Sequence, residues 1–537
     1  MGIGAISERC VGHLILSWGW RRNAYAFLAG CFSALAMPPF DFFVILFVTI
    51  PVFVWLMDAT ASDPGDSITG KAWQAFKTGW WFGFGYFLAG LWWIGSAFLV
   101  EADQFAWMLP FAVLLLPAGL AVFYGLGAIL ARFLWTQDWR RLLILGASIG
   151  IAEFLRGTIL TGFPWNTIGY AALTTPVLMQ KASIFGIYGV TVLCITVFAL
   201  PALIIGRPPG SRAGAVLPFT AGLLLIAADA GYGWYRLSKH PQEMVDDVRI
   251  RIVQPAINQA EKWVAEVEER NFNLLLDMSR GKNQETPSGL SGITHLIWPE
   301  STFPFILTER ADALAALGEL LPSDTMLIAG AIRTEPPAPG QTRQRVFNSV
   351  YTINDQGEIS GAADKVHLVP FGEFLPFQEV AESMGIQQLT HLQGGFEAGR
   401  SRIQLDGGTA GTFLPLICYE IIFPSQIREE GQQPQWLLNV TNDAWFGITP
   451  GPYQHWRQAV VRGVEEGLPV VRAANNGISS VSDAYGRILV TAPLGKQTVI
   501  DSPLPVGSAH TLYSRTGNLL FLIIAGVFIA TRPFNRR

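Results

Sequence analysis

The chain has 537 residues, half of them hydrophobic and only 15% charged, with a formal net charge of −4. So low a charged fraction is foreign to an ordinary soluble protein, and with no basic block in the chain nucleic acid is not an expected partner. The four cysteines, Cys10, Cys31, Cys194 and Cys418, are too scattered for a disulfide framework, and the seven histidines lack ligand spacing, so no metal or other cofactor is expected.

Hydrophobicity is unevenly spread. Residues 1 to about 235 are nearly all apolar, glycine, proline or aromatic, about 240 to 510 have a globular mixture, and Gly517 to Thr531 is apolar again. This predicts a membrane domain over 1–235, a water-soluble domain over 236–515, and a last anchor with its tail over 516–537. The opening MGIGAISERC has no compact apolar core with a cleavage site, so no cleaved signal is expected.

Seven apolar segments precede the soluble part, at about 23–38, 41–58, 78–100, 105–131, 142–155, 184–206 and 214–231. A crossing needs about 20 residues, so the first two, flanking Pro38 and Pro39, read as spans or as a tight helical hairpin. The fifth is also short, with Arg156 able to snorkel to the interface. Positive charges fall in alternate loops: Arg9, Arg21 and Arg22; Lys71 and Lys77; Arg132, Arg140 and Arg141; Arg207 and Arg212; and Arg532, Arg536 and Arg537 after the last segment. The positive-inside rule then gives eight transmembrane helices and two cytoplasmic termini. It puts the soluble domain on the opposite side, which in a bacterium with two membranes is the periplasmic side of the inner membrane. Trp165 and Tyr170, in the far-side loop Arg156 to Lys181, read as aromatic-belt anchors or as part of a lipid portal. Glu153 reads as an interfacial group or as a partner of Arg156, and Asp229 as interfacial.

In the soluble part, Val248–Val253 alternates and predicts a first strand, followed by helical spacing from Lys262 to Met278. Further strands are expected at Thr294–Trp298, Thr325–Ile332, Val346–Asn354, Phe413–Ile417, Trp436–Val440, Val470–Ala473 and Ile478–Asp483. Helices are expected at Asp312–Leu321 and Tyr453–Gly467. Alternating strands and helices imply a layered α/β domain.

Three polar groups stand near strand ends: Glu300, Lys365 and Cys418. Singly each has a bland reading, as a helix cap, a surface charge and a core thiol. Together they fit one chemistry. A carboxylate takes a thiol proton, an ammonium favours thiolate and steadies a carbonyl oxyanion, and the thiolate attacks an acyl carbon.

The runs WPES (298–301), DKVHLVPFGE (364–373) and ICYE (417–420) resemble the Glu-Lys-Cys signature of the nitrilase superfamily. With GFPW (162–165), NVTNDAWFG (439–447), RAANNGIS (472–479) and the order of apolar segments, the whole chain resembles the membrane-embedded apolipoprotein N-acyltransferase branch. The resemblance implies an αββα sandwich carrying Glu300 as base, Lys365 as oxyanion stabiliser and Cys418 as acyl-bearing nucleophile. It also implies supporting roles for Glu373, Tyr419 and Glu420. The implied reaction moves an acyl chain from a phospholipid, typically phosphatidylethanolamine, to Cys418. From there it passes to the α-amino group of a diacylglyceryl-cysteine on an apolipoprotein.

Weaker candidates remain. Trp263 reads as a functional tryptophan or as helix core, and Asn348 as site support or strand-end satisfaction. The aromatic-rich stretch with Trp445, Phe446, Tyr453 and Trp456 reads as a mobile lipid-touching arm or as loop packing. A membrane-tethered amidase using the same three residues is the second functional reading, and a transporter or scaffold the third. The third is disfavoured because no charged pair marks a mid-membrane ion path.

Overall fold

The computed structural model describes residues 3–61, 67–205, 213–262, 265–281, 289–337, 339–340, 343–378, 383, 388, 395–429 and 431–532. The chain forms two compact units: Met1–Ile94 with Pro110–Pro241 and His510–Arg537, and Gly95–Leu109 with Gln242–Ala509.

The first unit is helical. Each of the eight apolar segments carries a helix: Trp20–Ser33, Leu46–Ala61, Ile68–Leu91, Leu109–Leu134, Arg140–Thr158, Ala182–Phe198, Ala213–Lys239 and Leu519–Ala530. Among the described residues, four stretches are long and apolar enough to cross a membrane: Phe43–Thr60, Ile68–Leu99, Ala102–Leu134 and Gly214–Lys239. Trp20–Ser33, Ala182–Phe198 and Leu519–Ala530 are shorter, and Arg140–Thr158 carries four charged residues, so length and composition single out four candidate spans where eight are expected. Short 3₁₀ turns join Trp20–Ser33 to Leu46–Ala61, and Ser33 Oγ donates to Thr49 Oγ1 at 2.8 Å between them.

Glycine sets the closest helix approach. A Cβ on Gly30 would lie 2.0 Å from the carbonyl oxygen of Phe82, and one on Gly85 would lie 2.1 Å from that of Phe27. Trp20–Ser33 and Ile68–Leu91 can therefore touch backbone to backbone only because both positions lack a side chain.

Burial corrects two local expectations, for Arg156 and for the aromatic pair Trp165 and Tyr170. Arg156 does not snorkel: it is fully buried and paired with Glu153, as the partner reading of Glu153 required. Trp165 and Tyr170 are each 2% exposed and so serve as core, not as belt anchors. Asp229 is only partly exposed and pairs with Lys181.

Among the described residues, the second unit holds two six-stranded sheets. The strands are β1 (Met244–Gln254), β2 (His295–Trp298), β3 (Met326–Glu335), β4 (Arg345–Ile353), β5 (Ile359–Asp364), β6 (Leu405–Asp406), β7 (Thr412–Ile417), β8 (Trp436–Thr441), β9 (Val470–Ala474), β10 (Ser480–Ser482), β11 (Ile488–Thr491) and β12 (Thr498–Pro505). Their orders are β12-β1-β2-β3-β4-β5 and β11-β10-β9-β8-β7-β6. Pairing is parallel for β1-β2-β3 and for β7-β8-β9, and antiparallel elsewhere.

Alternation explains the layers. Val248, Ile250 and Ile252 of β1 join Ile297, Ile328 and Val350 in one core with Phe413, Ile417, Trp436, Leu438 and Val471 of the other sheet. Val253, Leu296, Trp298 and Leu327 point the other way, into a core with Phe272, Leu275 and Leu317 from the helices Glu268–Ser279 and Ala311–Leu320. Arg251, also on that face, is fully buried and makes a bidentate pair with Asp501 of β12 at 2.8 and 2.7 Å.

Four strands escaped the sequence reading: β5, β6, β11 and β12. They are the four sheet edges. An edge strand has one neighbour and tolerates proline, as Pro503 and Pro505 in β12 show, so its sequence need not alternate.

Candidate active site

Glu300 follows β2, Lys365 follows β5, and Cys418 follows β7. Gly330 of β3 makes room for the Glu300 turn. A Cβ there would stand 2.6 Å from Glu300 Cα, from the Pro299 carbonyl oxygen and from the Ser301 nitrogen. The turn is pinned to β3 by Gly330 N to Pro299 O at 3.1 Å and Thr302 N to Gly330 O at 2.9 Å.

The structure brings Glu300, Lys365, Glu373 and Asn348 together, all buried. Lys365 Nζ donates to Glu373 Oε1 at 2.9 Å and lies 3.6 Å from Glu300 Oε1. Asn348 Nδ2 donates to Glu300 Oε1 at 2.8 Å and to Glu373 Oε1 at 3.0 Å. The Asn348 amide thus bridges the two carboxylates. Among the described residues, Asn348 hydrogen-bonds the Glu300 carboxylate at Oε1, Lys365 lies beside the same oxygen, and none hydrogen-bonds Oε2. Glu373 Oε2 is occupied by the Val369 amide at 2.8 Å. Burial alone would lower the Lys365 pKa, but Glu373, Glu300 and Cys418 outweigh it and hold the lysine above its ordinary value, as ammonium.

Cys418 has φ +51°, a left-handed backbone that a non-glycine residue adopts only when its surroundings enforce it. The enforcement comes from two sides. Glu420 Oε2 accepts from Ile417 N at 2.8 Å, while Glu420 Oε1 accepts from Val366 N, His367 N and Arg402 Nη1 at 2.9, 3.0 and 2.7 Å. One carboxylate thus ties the Cys418 turn to the backbone that follows Lys365. Tyr419 extends the tie, packing edge-on against Phe423 at 5.0 Å, while Phe423 stacks on His367 at 3.8 Å.

From the other side, His455 donates from Nε2 to the Cys418 carbonyl at 3.1 Å, and its Nδ1 lies 2.9 Å from Asp443 Oδ1. Arg472 Nη2 donates to Asp443 Oδ2 at 2.6 Å, and Thr441 Oγ1 donates to Asp443 Oδ1 at 3.0 Å. Burial opposes the Asp443 charge, but Arg472 and His455 prevail and lower its pKa to about 2. Burial and Arg472 push His455 below its ordinary value.

The thiol itself is pushed up, first by burial and then by the Glu300 carboxylate; Lys365 and a hydrogen bond with Thr441 pull the other way.

Lys262 was not anticipated. It is 4% exposed, and its Nζ donates to the main-chain oxygen of Glu300 at 3.0 Å. Burial lowers its pKa to about 8, against the pull of Glu300 and Cys418. Within a stretch read as an exposed-and-buried helix, nothing in its spacing marks it. Asp443, His455 and Arg472 were also missed as a set, although Asp443 and Arg472 lie inside two of the quoted motifs. Trp263 lies outside the described residues. Trp445 is half-buried in a 3₁₀ turn, Asp443–Phe446, and Tyr453 and Trp456 belong to the helix Pro450–Glu466, with Trp456 Nε1 donating to Ser480 Oγ at 2.9 Å. The expected aromatic arm is thus split between a turn and a helix.

Residues 29–200 match the family described as apolipoprotein N-acyltransferase N-terminal domain, and residues 249–511 match the family described as carbon-nitrogen hydrolase. An apolipoprotein N-acyltransferase of Rhodopseudomonas palustris is 46% identical over 533 residues, 98% of each chain. One of Brucella suis is 47% identical over 501 residues, 93% of this chain and 92% of that one. Among solved structures, an amidase from Nesterenkonia sp. is similar over 50% of this chain and 94% of its own, with 16% identity and a TM-score of 0.34.

Proposed function

The chain belongs to the apolipoprotein N-acyltransferase family, and from that premise we propose that it N-acylates lipoproteins through a thioester on Cys418. It is an acyltransferase enzyme with a nitrilase-like domain, acting in a bacterial membrane on a lipoprotein substrate. The finer reading is as follows. Glu300 accepts the Cys418 proton on Oε2, and the thiolate attacks an ester carbonyl of a phospholipid, phosphatidylethanolamine by preference. The carbonyl oxygen becomes an oxyanion beside the Lys365 ammonium. Collapse breaks the ester bond, the lysophospholipid oxygen takes the proton from Glu300, and a thioester remains.

In the second half, the neutral α-amine of a diacylglyceryl-cysteine attacks the thioester carbon. Glu300 takes a proton from that nitrogen and returns it to the departing Cys418 sulfur, leaving an amide. Water would divert the thioester to free acid, so transfer depends on its exclusion. Glu373 and Asn348 hold Lys365 and Glu300 in place, and Glu420 and Tyr419 hold the Cys418 turn. Alternating loop charges support eight crossings, cytoplasmic termini and a periplasmic catalytic domain over 236–515.

The observation that carries the reading is the convergence of two carboxylates, an ammonium and a backbone-strained thiol within buried surroundings. The test is mass spectrometry of the protein after mixing with phospholipid alone. An acyl adduct on Cys418, absent in Cys418→Ser and discharged by a diacylated lipopeptide with N-acylation of that peptide, is expected. Free fatty acid or ammonia without peptide acylation would instead establish a hydrolase, the activity after which the 249–511 family is named.

A further inference from the structure

Besides the Asp443, His455 and Arg472 set and the Glu420–Arg402 pair, four buried ionisable side chains stand around the thiol, and the reaction outlined above uses only part of them. Glu300 and Glu373 are two carboxylates; Lys365 is bound to one and 3.6 Å from the other. Lys262 approaches from elsewhere in the chain, past the 3₁₀ turn Gln259–Glu261 that follows β1. Its ammonium is 3.0 Å from the main-chain oxygen of Glu300 and within electrostatic reach of the Glu300 carboxylate and the Cys418 thiol. The neighbouring Glu261 faces outward, paired with Arg270 at 2.7 Å with both side chains more than half exposed, so it does not compete for Lys262.

Counting charge shows what a second lysine changes. With Lys262 charged, two carboxylates and two ammoniums sum to zero. When Cys418 hands its proton to Glu300, a thiolate replaces one carboxylate and the sum stays zero. With Lys262 neutral, two anions face one ammonium before and after the transfer, so what a charged Lys262 adds is a second cation within reach of the sulfur on which the charge arrives. A nearby charge of this kind shifts an acid by about 1–3 pKa units, so about 10- to 1,000-fold in thiolate population.

We propose that Lys262 is a positioning residue for the acyl-transfer reaction, its ammonium fixing the Glu300 turn and supplying the second positive charge that lets Cys418 ionise. This deepens the thioester reading and rests on it. The wild-type protein has the active ammonium below about pH 8 and loses it above, because burial brings its titration there. The rate of Cys418 acylation therefore falls as pH rises through about 8.

The experiment is the initial rate of acyl-adduct formation on Cys418, by mass spectrometry, with phosphatidylethanolamine in detergent micelles from about pH 6 to about pH 10. Three proteins are compared: wild type, Lys262→Arg and Lys262→Met. A falling limb near pH 8 is expected in wild type. In Lys262→Arg the adduct forms and the limb moves beyond the range, since guanidinium stays charged. In Lys262→Met the rate is about 10- to 100-fold lower with no limb near pH 8. A wild-type protein that forms adduct with no limb near pH 8 overturns the inference, whether or not the variants fold. So does a Lys262→Arg limb left where wild type has it, or a Lys262→Met rate equal to wild type. A wild-type protein that forms no adduct at any pH overturns the thioester reading itself.

Discussion

Each unit buries a charged cluster, and the two clusters are built on opposite principles. In the helical unit, Glu153 and Arg156 have no exposed side-chain surface. Arg156 donates to Glu153 through Nε at 2.8 Å and through Nη2, to the carbonyls of Phe163 and Trp165 through Nη1, and to Thr167 Oγ1 at 3.3 Å. All five donors are used. Glu153 Oε1 takes the Tyr124 hydroxyl at 2.7 Å and the Ile168 amide at 3.4 Å. In the catalytic unit, two carboxylates share the one Asn348 amide, Asn348 Oδ1 has no partner among the described residues, and burial lowers the Lys262 pKa to about 8. A saturated cluster fixes a loop, here the GFPW segment. An unsaturated one retains sites for a proton and a substrate, and its cost is borne by the surrounding fold.

The sharpest break of this contrast should come from Glu300→Gln. The amide keeps the volume and can still accept from Asn348, but cannot take a proton. Acylation of Cys418 should fall by about 10²- to 10⁴-fold, while the thermal midpoint in detergent changes little. A large loss of stability with activity retained per folded molecule would place Glu300 in the saturated class.

The reverse is expected of Arg156→Met. It leaves the Glu153 carboxylate buried without its cation, which costs about 3–5 kcal/mol. Denaturation should show that loss, while the folded fraction keeps its acylation rate. Equal stability with abolished turnover would erase the distinction between the clusters.

Asp443→Asn sharpens the comparison at a smaller scale, because Asp443 belongs to the catalytic unit yet is saturated by Arg472, His455 and Thr441. Loss of this charged partner should cost about 1–3 kcal/mol. The sign with pH is fixed by the depressed pKa of about 2. The contribution is complete above the unfolded aspartate value of about 3.9 and disappears as pH falls through about 2. The variant should therefore match wild type in acid stability and trail it at neutral pH. A gap that widens in acid would contradict this.

The interior strands were legible because each must present apolar residues to a core on at least one face. Thus Val248–Val253 and Phe413–Ile417 carry their assignment in their own composition. The edge strands were not, since β5 reads ISGAAD and β12 contains two prolines. Both owe their conformation to a neighbour's free hydrogen-bonding groups. Glu300, Lys365 and Cys418 were legible as residue types at strand ends. The ties that hold them were not: Glu420 reaches across to residues 366 and 367, and His455 reaches Cys418 from 37 residues away.

The sequence by itself determined the partition into an apolar and a globular part, the interior strands and the three polar groups that carry the proposed chemistry. These follow from local composition and period, which each segment holds within itself. Only the tertiary structure decided that Arg156 is buried, that Trp165 and Tyr170 are core, that Cys418 takes a left-handed backbone, and that Lys262 joins the site. Burial, charge balance and strain belong to groups distant in sequence, and they arise only when folding removes water from between them.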